Sequence, residues 1–124
     1  MVSKYLKSQN VALALMTNGN AKVQREKVNM FNLDQYFDAV LIEGETGLRK
    51  PDKRVYQEAL KRLELKSKEV WAIGDNLEWD VWGPQQIGIH GIWHDFRQVG
   101  LPSSSTIQPD RIIHSISELV PREG

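Results

Sequence analysis

Six consecutive apolar residues, Val11-Ala-Leu-Ala-Leu-Met16, run straight into a polar turn, Thr17-Asn18-Gly19-Asn20. Unbroken hydrophobicity over so short a length suits a strand buried on both faces rather than an amphipathic helix. Three more segments share that shape: Ala39–Ile42, Val70–Ile73 and Ile89–Trp93. Helical spacing fills the intervals. Residues 21–31 carry a loose stripe at Val23, Val28, Met30 and Phe31, and Val55, Tyr56, Ala59, Leu60 and Leu63 make a clear amphipathic helix. Pro51 suits the first turn of that helix, with Asp52 at its positive end. Trp79, Val81, Trp82, Gln86 and Ile87 predict another helix, which Pro84 must shorten or kink. Glu43–Arg49 and Gly100–Pro109 read as loops, Arg111–His114 as a last short strand, Ser115–Val120 as a terminal helix and Met1–Asn10 as the tail of a helix.

Strands alternating with helices predict an α/β fold, a three-layer Rossmann-like parallel sheet with right-handed crossovers and helices on both faces. A chain of 124 residues is the size of one domain, and no linker divides residues 1–124. Sixteen Lys and Arg balance sixteen Asp and Glu, which speaks against nucleic-acid or membrane-surface partners. There is no cysteine, so thiol catalysis and Cys-ligated zinc are excluded. No apolar run could span a bilayer and none reads as a signal peptide, so a cytoplasmic location is expected.

Open parallel sheets bind ligands beyond the carboxyl ends of their strands. Thr17-Asn18-Gly19 follows the first strand, and Gly74-Asp75-Asn76 follows the third, with Asp80 five residues beyond Asp75. Lys50 stands just ahead of a helix start. A hydroxyl with turn N–H groups can hold phosphate oxygens, a lysine supplies a point charge, and paired carboxylates suit magnesium. Each feature alone is commonplace: Asp75 could cap the next helix, and Asp80 could be an ordinary helix residue. Their shared position at strand ends is what points to a phosphate-and-magnesium site.

These residues resemble the haloacid dehalogenase-like (HAD) hydrolases over nearly the whole chain. Leu13-Ala-Leu-Met-Thr-Asn-Gly19 looks like the family's second motif, Gly47-Leu-Arg-Lys-Pro-Asp52 like its third, and Ile73-Gly-Asp-Asn-Leu-Glu-Trp-Asp80 like its fourth. The resemblance implies a magnesium-dependent phosphate-monoester hydrolase of small phosphorylated metabolites, working through an aspartyl-phosphate. Thr17 and the backbone of Asn18 would bind the phosphoryl group. Lys50 would hold that phosphate and steady a nucleophilic aspartate. Asp75 would ligate Mg2+, with Asp80 as second ligand or as its hydrogen-bonding support.

One departure matters. Family members open with a strand ending in Asp-x-Asp, whose first Asp attacks phosphorus. None of the seven aspartates here stands in that spacing. Asp95, after Ile92-Trp-His94, has the right local shape for a permuted nucleophile, but Arg97 occupies the second position. The chain therefore reads as the C-terminal part of a core domain, with the central nucleophile strand missing and no cap domain. Two half-sheets would flank the gap, and unpaired backbone groups there cost a few kcal/mol each. Either the halves close up, another chain adds a strand, as in a homodimer or with a strand-complementing partner, or the chain is part of something longer. Negligible turnover by the isolated chain is expected. The alternative is a non-catalytic phosphate-binding or protein-interaction module pairing through its sheet edge. His90 and His94 share a strand face without a third local zinc ligand, and the four tryptophans read mainly as packing groups.

Overall fold

The structure is a computed structural model that describes residues 9–119. These fall into two compact units, divided between Leu65 and Lys66. Each unit has its own parallel sheet.

In the first unit, β1 (Ala14–Thr17) pairs in parallel with β2 (Ala39–Ile42), Thr17 lying opposite Ile42. Helix α1 (Ala21–Met30) connects them, its first turn capped by the Asn20 side chain, which accepts the N–H groups of Lys22 and Val23. A single turn, α2 (Glu43–Thr46), follows β2 directly, where a loop was expected. Helix α3 (Lys53–Leu63) then buries Val55, Tyr56 and Ala59. Leu41 and Ile42 of β2 and Val28 of α1 complete the best-buried apolar set of this unit. β1 is only half-buried along its whole length, against the expectation of a strand covered on both faces. It is bonded to β2 alone among the described strands.

In the second unit, β3 (Trp71–Gly74), β4 (His90–His94) and β5 (Arg111–Ile113) form a parallel sheet in that order. Ile92, Trp93 and Ile113 are its buried apolar side chains, and Val81 packs beside them from a six-residue π-helix, Leu77–Trp82. That helix passes into one α turn, α4 (Gly83–Gln85). The Gly83 N–H reaches back five residues to the Glu78 carbonyl. Pro84 has no N–H to give the Asp80 carbonyl, so regular α winding is interrupted there. Of the four tryptophans only Trp93 is buried; Trp71 and Trp82 are exposed, contrary to a general packing role. Gly100–Pro109 is loop as expected, and a 3₁₀ turn at Ile116–Leu119 replaces the terminal helix, whose last residue lies outside the described region. The helix tail expected over Met1–Asn10 lies outside it too, except for Gln9 and Asn10, which form a turn.

The entry of each sheet is finished by the same device. Asp38, one residue before β2, gives its N–H to the Leu13 carbonyl (2.6 Å) and accepts the Leu13 N–H on Oδ2 (2.8 Å). Asp110, one residue before β5, does the same with Gly91, at 2.8 and 2.7 Å. The carboxylate supplies the acceptor that the ladder lacks at its first rung. The fold is thus α/β with parallel sheets, a partial Rossmann-like core. Among the described strands β1 pairs only with β2, and β3 only with β4. No described helix is long and apolar enough to cross a membrane.

Candidate functional site

Three of the expected residues come together in the first unit. Thr17 is the last residue of β1, half-buried, with its Oγ1 3.3 Å from the Asn18 carbonyl. Asn18 follows it out of the strand. Its Oδ1 accepts the Lys50 N–H at 2.9 Å and its Nδ2 donates to the Lys50 carbonyl at 3.1 Å. The backbone of Lys50 is thereby fastened beside the carboxyl end of β1.

The turn itself is held from α2. The Gly19 N–H donates to Glu43 Oε1 at 2.9 Å, and the Gly44 N–H to the Gly19 carbonyl at 3.0 Å. Gly44 has no room for a side chain, since a Cβ there would come within 2.4 Å of the Ala21 nitrogen. Expecting the turn's N–H groups as a set to face an anion is therefore corrected at Gly19, whose amide is taken by a carboxylate. Glu43, which also faces Arg49 at 3.6 Å, was not visible as a site residue. It stood in what read as a loop, 24 positions from its partner.

Lys50 sits in a turn closed by the Asp52 N–H on the Arg49 carbonyl (2.9 Å), with a cis peptide bond between Lys50 and Pro51. Helix α3 starts two residues after Pro51, not at it. Asp52 is its N-cap, accepting the Arg54 N–H at 2.9 Å and gripping the Arg54 guanidinium. The guanidinium, with that backbone bond, pulls the Asp52 carboxyl down to about 2.

The second unit carries the two carboxylates. Asp75 is exposed directly after β3, and its backbone carbonyl accepts the Trp93 indole N–H at 2.9 Å. It does not cap the next helix: Asn76 does, accepting the Trp79 N–H at 2.9 Å. Asp80 is buried in the π-helix, and its Oδ2 accepts the Asn76 N–H at 3.0 Å. The Asp80 carboxylate thus braces the Gly74-Asp75-Asn76 turn from beneath while Asp75 projects outward. Among the described residues no three His, Cys, Asp or Glu side chains gather into a metal cage. The donors present are nevertheless hard oxygens, and magnesium is content with one or two carboxylates plus water and phosphate. The donor set fits such an ion.

Asp95 has a different task from the one its local sequence suggested. It is 4% exposed, with Oδ1 accepting the Val99 N–H at 3.1 Å and Oδ2 the Gly100 N–H at 2.9 Å. Both oxygens are tied into the loop that follows β4, and a buried, doubly bonded carboxylate is a poor nucleophile.

The first unit thus carries a hydroxyl and a lysine beside the end of β1, and the second carries two carboxylates after β3. The haloacid dehalogenase-like hydrolase family model matches residues 2–94, and the chain belongs to that family. A phosphoserine phosphatase of Thermus thermophilus is 37% identical over 112 residues, 90% of this chain and 44% of that protein. A glyceraldehyde 3-phosphate phosphatase of Pyrococcus furiosus is 31% identical over 91 residues, 73% of this chain and 38% of that one. A HAD hydrolase of Bacillus subtilis, solved bound to magnesium, matches with a TM-score of 0.85 at 25% identity, over 95% of this chain and 51% of that one. The chain thus spans less than half the length of these two phosphatases.

Proposed function

We propose that the chain is part of a magnesium-dependent phosphate-monoester hydrolase that works through an aspartyl-phosphate. The observation that carries this reading is the pairing of the Asn18 amide with the Lys50 backbone, which brings the lysine to the Thr17 turn. In this reading the Thr17 hydroxyl and the Asn18 N–H bind phosphoryl oxygens, and Lys50 neutralises them. Asp75 ligates magnesium, and Asp80 keeps the Asp75 turn in place. Magnesium, when bound, would supply charge neutralisation as a Lewis acid. The substrate class is a small phosphorylated metabolite, in keeping with the phosphatases among the relatives, and the location cytoplasmic. Residues 1–124 are read as part of a core domain.

No Asp-x-Asp occurs in these 124 residues, and in this reading the attacking carboxylate comes from outside them. A clamp and a metal do not replace a covalent nucleophile, so the chain alone has negligible turnover. The test is direct. Purified chain is assayed with magnesium on an aryl phosphate, and inorganic phosphate binding is titrated by calorimetry. Binding without hydrolysis, lost in Lys50→Ala, is the expected result. Brisk hydrolysis that Asp75→Ala abolishes would overturn the inactivity, and absence of phosphate binding would overturn the clamp.

A second reading, a non-catalytic module that pairs through a sheet edge, is favoured by β1 and β3, each the terminal strand of its own sheet. Light scattering on the purified chain separates the two, a stable dimer favouring the module.

A further inference from the structure

Both backbone polar groups of Lys50 end on one side chain, that of Asn18, 32 positions earlier in the chain. The pairing needs a donor and an acceptor side by side on a planar group, which the carboxamide alone provides at this length. Aspartate would offer only acceptors. Lys50 belongs to no helix or strand: it lies after α2 and before α3, in the turn that the Asp52 N–H closes on Arg49. Upstream, the loop is braced by Thr46 Oγ1, which accepts the Leu48 N–H at 3.1 Å. The Thr17 turn is fixed independently through Gly19, Glu43 and Gly44. Asn18 thus ties the backbone of a loop lysine to the end of a strand.

We propose that Asn18 is a positioning residue for Lys50: its side chain acts on an anion through the lysine rather than by touching the anion itself. The effect on binding rests on the reading of Lys50 as a phosphate clamp. The effect on the Lys50 backbone does not. Fixing the backbone removes the entropy of ordering the loop when ligand arrives.

Amide hydrogen exchange by NMR on the 124-residue chain tests the first part. Asn18→Ala is expected to speed exchange at the Lys50 amide about tenfold or more while the amides of β2 keep their protection. Asn18→Asp retains the acceptor and should restore protection at Lys50. Unchanged exchange at Lys50, or acceleration of all amides alike, would overturn the proposal, the latter making Asn18 a general stability residue. Titration with inorganic phosphate tests the second part. Asn18→Ala should weaken binding about tenfold, and less than about twofold when Lys50→Ala is already present, because the two act as one unit. Equal weakening in both backgrounds would mean that the Asn18 side chain touches the anion, and would overturn the proposal. If the unsubstituted chain binds no phosphate, the clamp reading fails by itself, and exchange at Lys50 still decides whether Asn18 positions it.

Discussion

The Asp80 carboxylate lies over Gly74 so closely that a Cβ on the glycine would stand 2.3 Å from its Oδ2. The last residue of β3 is therefore a glycine because a buried side chain five residues from Asp75 has taken the space. Gly74→Ala must push Asp80 off the Asn76 N–H, and overpacking of this kind costs about 1–3 kcal/mol. Denaturant unfolding should show that loss in Gly74→Ala. The same substitution made in an Asp80→Ala background should cost much less, because the obstacle is gone. Equal costs in both backgrounds would refute the steric account.

The metal reading makes a separate demand of the two carboxylates. Asp75 is exposed and caps nothing, so Asp75→Asn should leave stability within about 0.5 kcal/mol of the unsubstituted chain while removing magnesium binding. Asp80→Asn should cost stability, because its buried carboxylate holds the Asn76 N–H. Calorimetric titration with magnesium, set beside urea melts of both variants, checks the contrast. Retained magnesium affinity in Asp75→Asn would remove that residue from the site.

Acid should loosen α3 through its cap. The Arg54 guanidinium holds the Asp52 carboxyl at about 2, below its ordinary 3.8. A carboxylate depressed on folding adds stability that is complete above the unfolded value and disappears as pH falls from about 4 through about 2. Asp110, lowered first by the Gln85 side chain and then by the Gly91 N–H, adds to the same trend in the second unit. The helical signal of α3, followed by NMR between pH 5 and pH 2, should decline over that window. In Asp52→Asn, which can still cap, the decline should flatten.

Much of this was legible because strand ends are. The run Val11–Met16 stops at Thr17, and Val70–Ile73 stops at Gly74, so the residues after each edge could be named from sequence alone. What escaped depended on distance or on winding. Asn18 and Lys50 are 32 positions apart, and no local pattern announces that one amide will serve the other's backbone. Over six residues the spacing of a π-helix cannot be told from that of an α-helix, so Leu77–Trp82 read as ordinary helix. Pro51 read as part of the first turn, with Asp52 beside it, but Asp52 caps the helix and leaves Pro51 outside it. The half-buried state of β1 was hidden for another reason, since an apolar run reports what a strand could bury and not whether a neighbour is there to cover it.

Asp95 makes the last prediction, because its sequence context and its geometry point in opposite directions. After an apolar strand it has the look of an attacking carboxylate, yet its two oxygens hold Val99 and Gly100. The loop it closes needs such an anchor. Phe96, Val99 and Leu101 are exposed, and Gln98 and Gly100 both adopt positive φ, so apolar burial contributes little to its order. Asp95→Ala should therefore cost about 1–3 kcal/mol in denaturant unfolding of the second unit, the range for removing a buried hydrogen-bonded partner. Asp95→Asn keeps one acceptor and should cost less. Phosphate binding at the Thr17 turn should be the same in all three proteins. A variant that unfolds normally but loses phosphate binding would return Asp95 to the site, and with it the permuted nucleophile that its geometry speaks against.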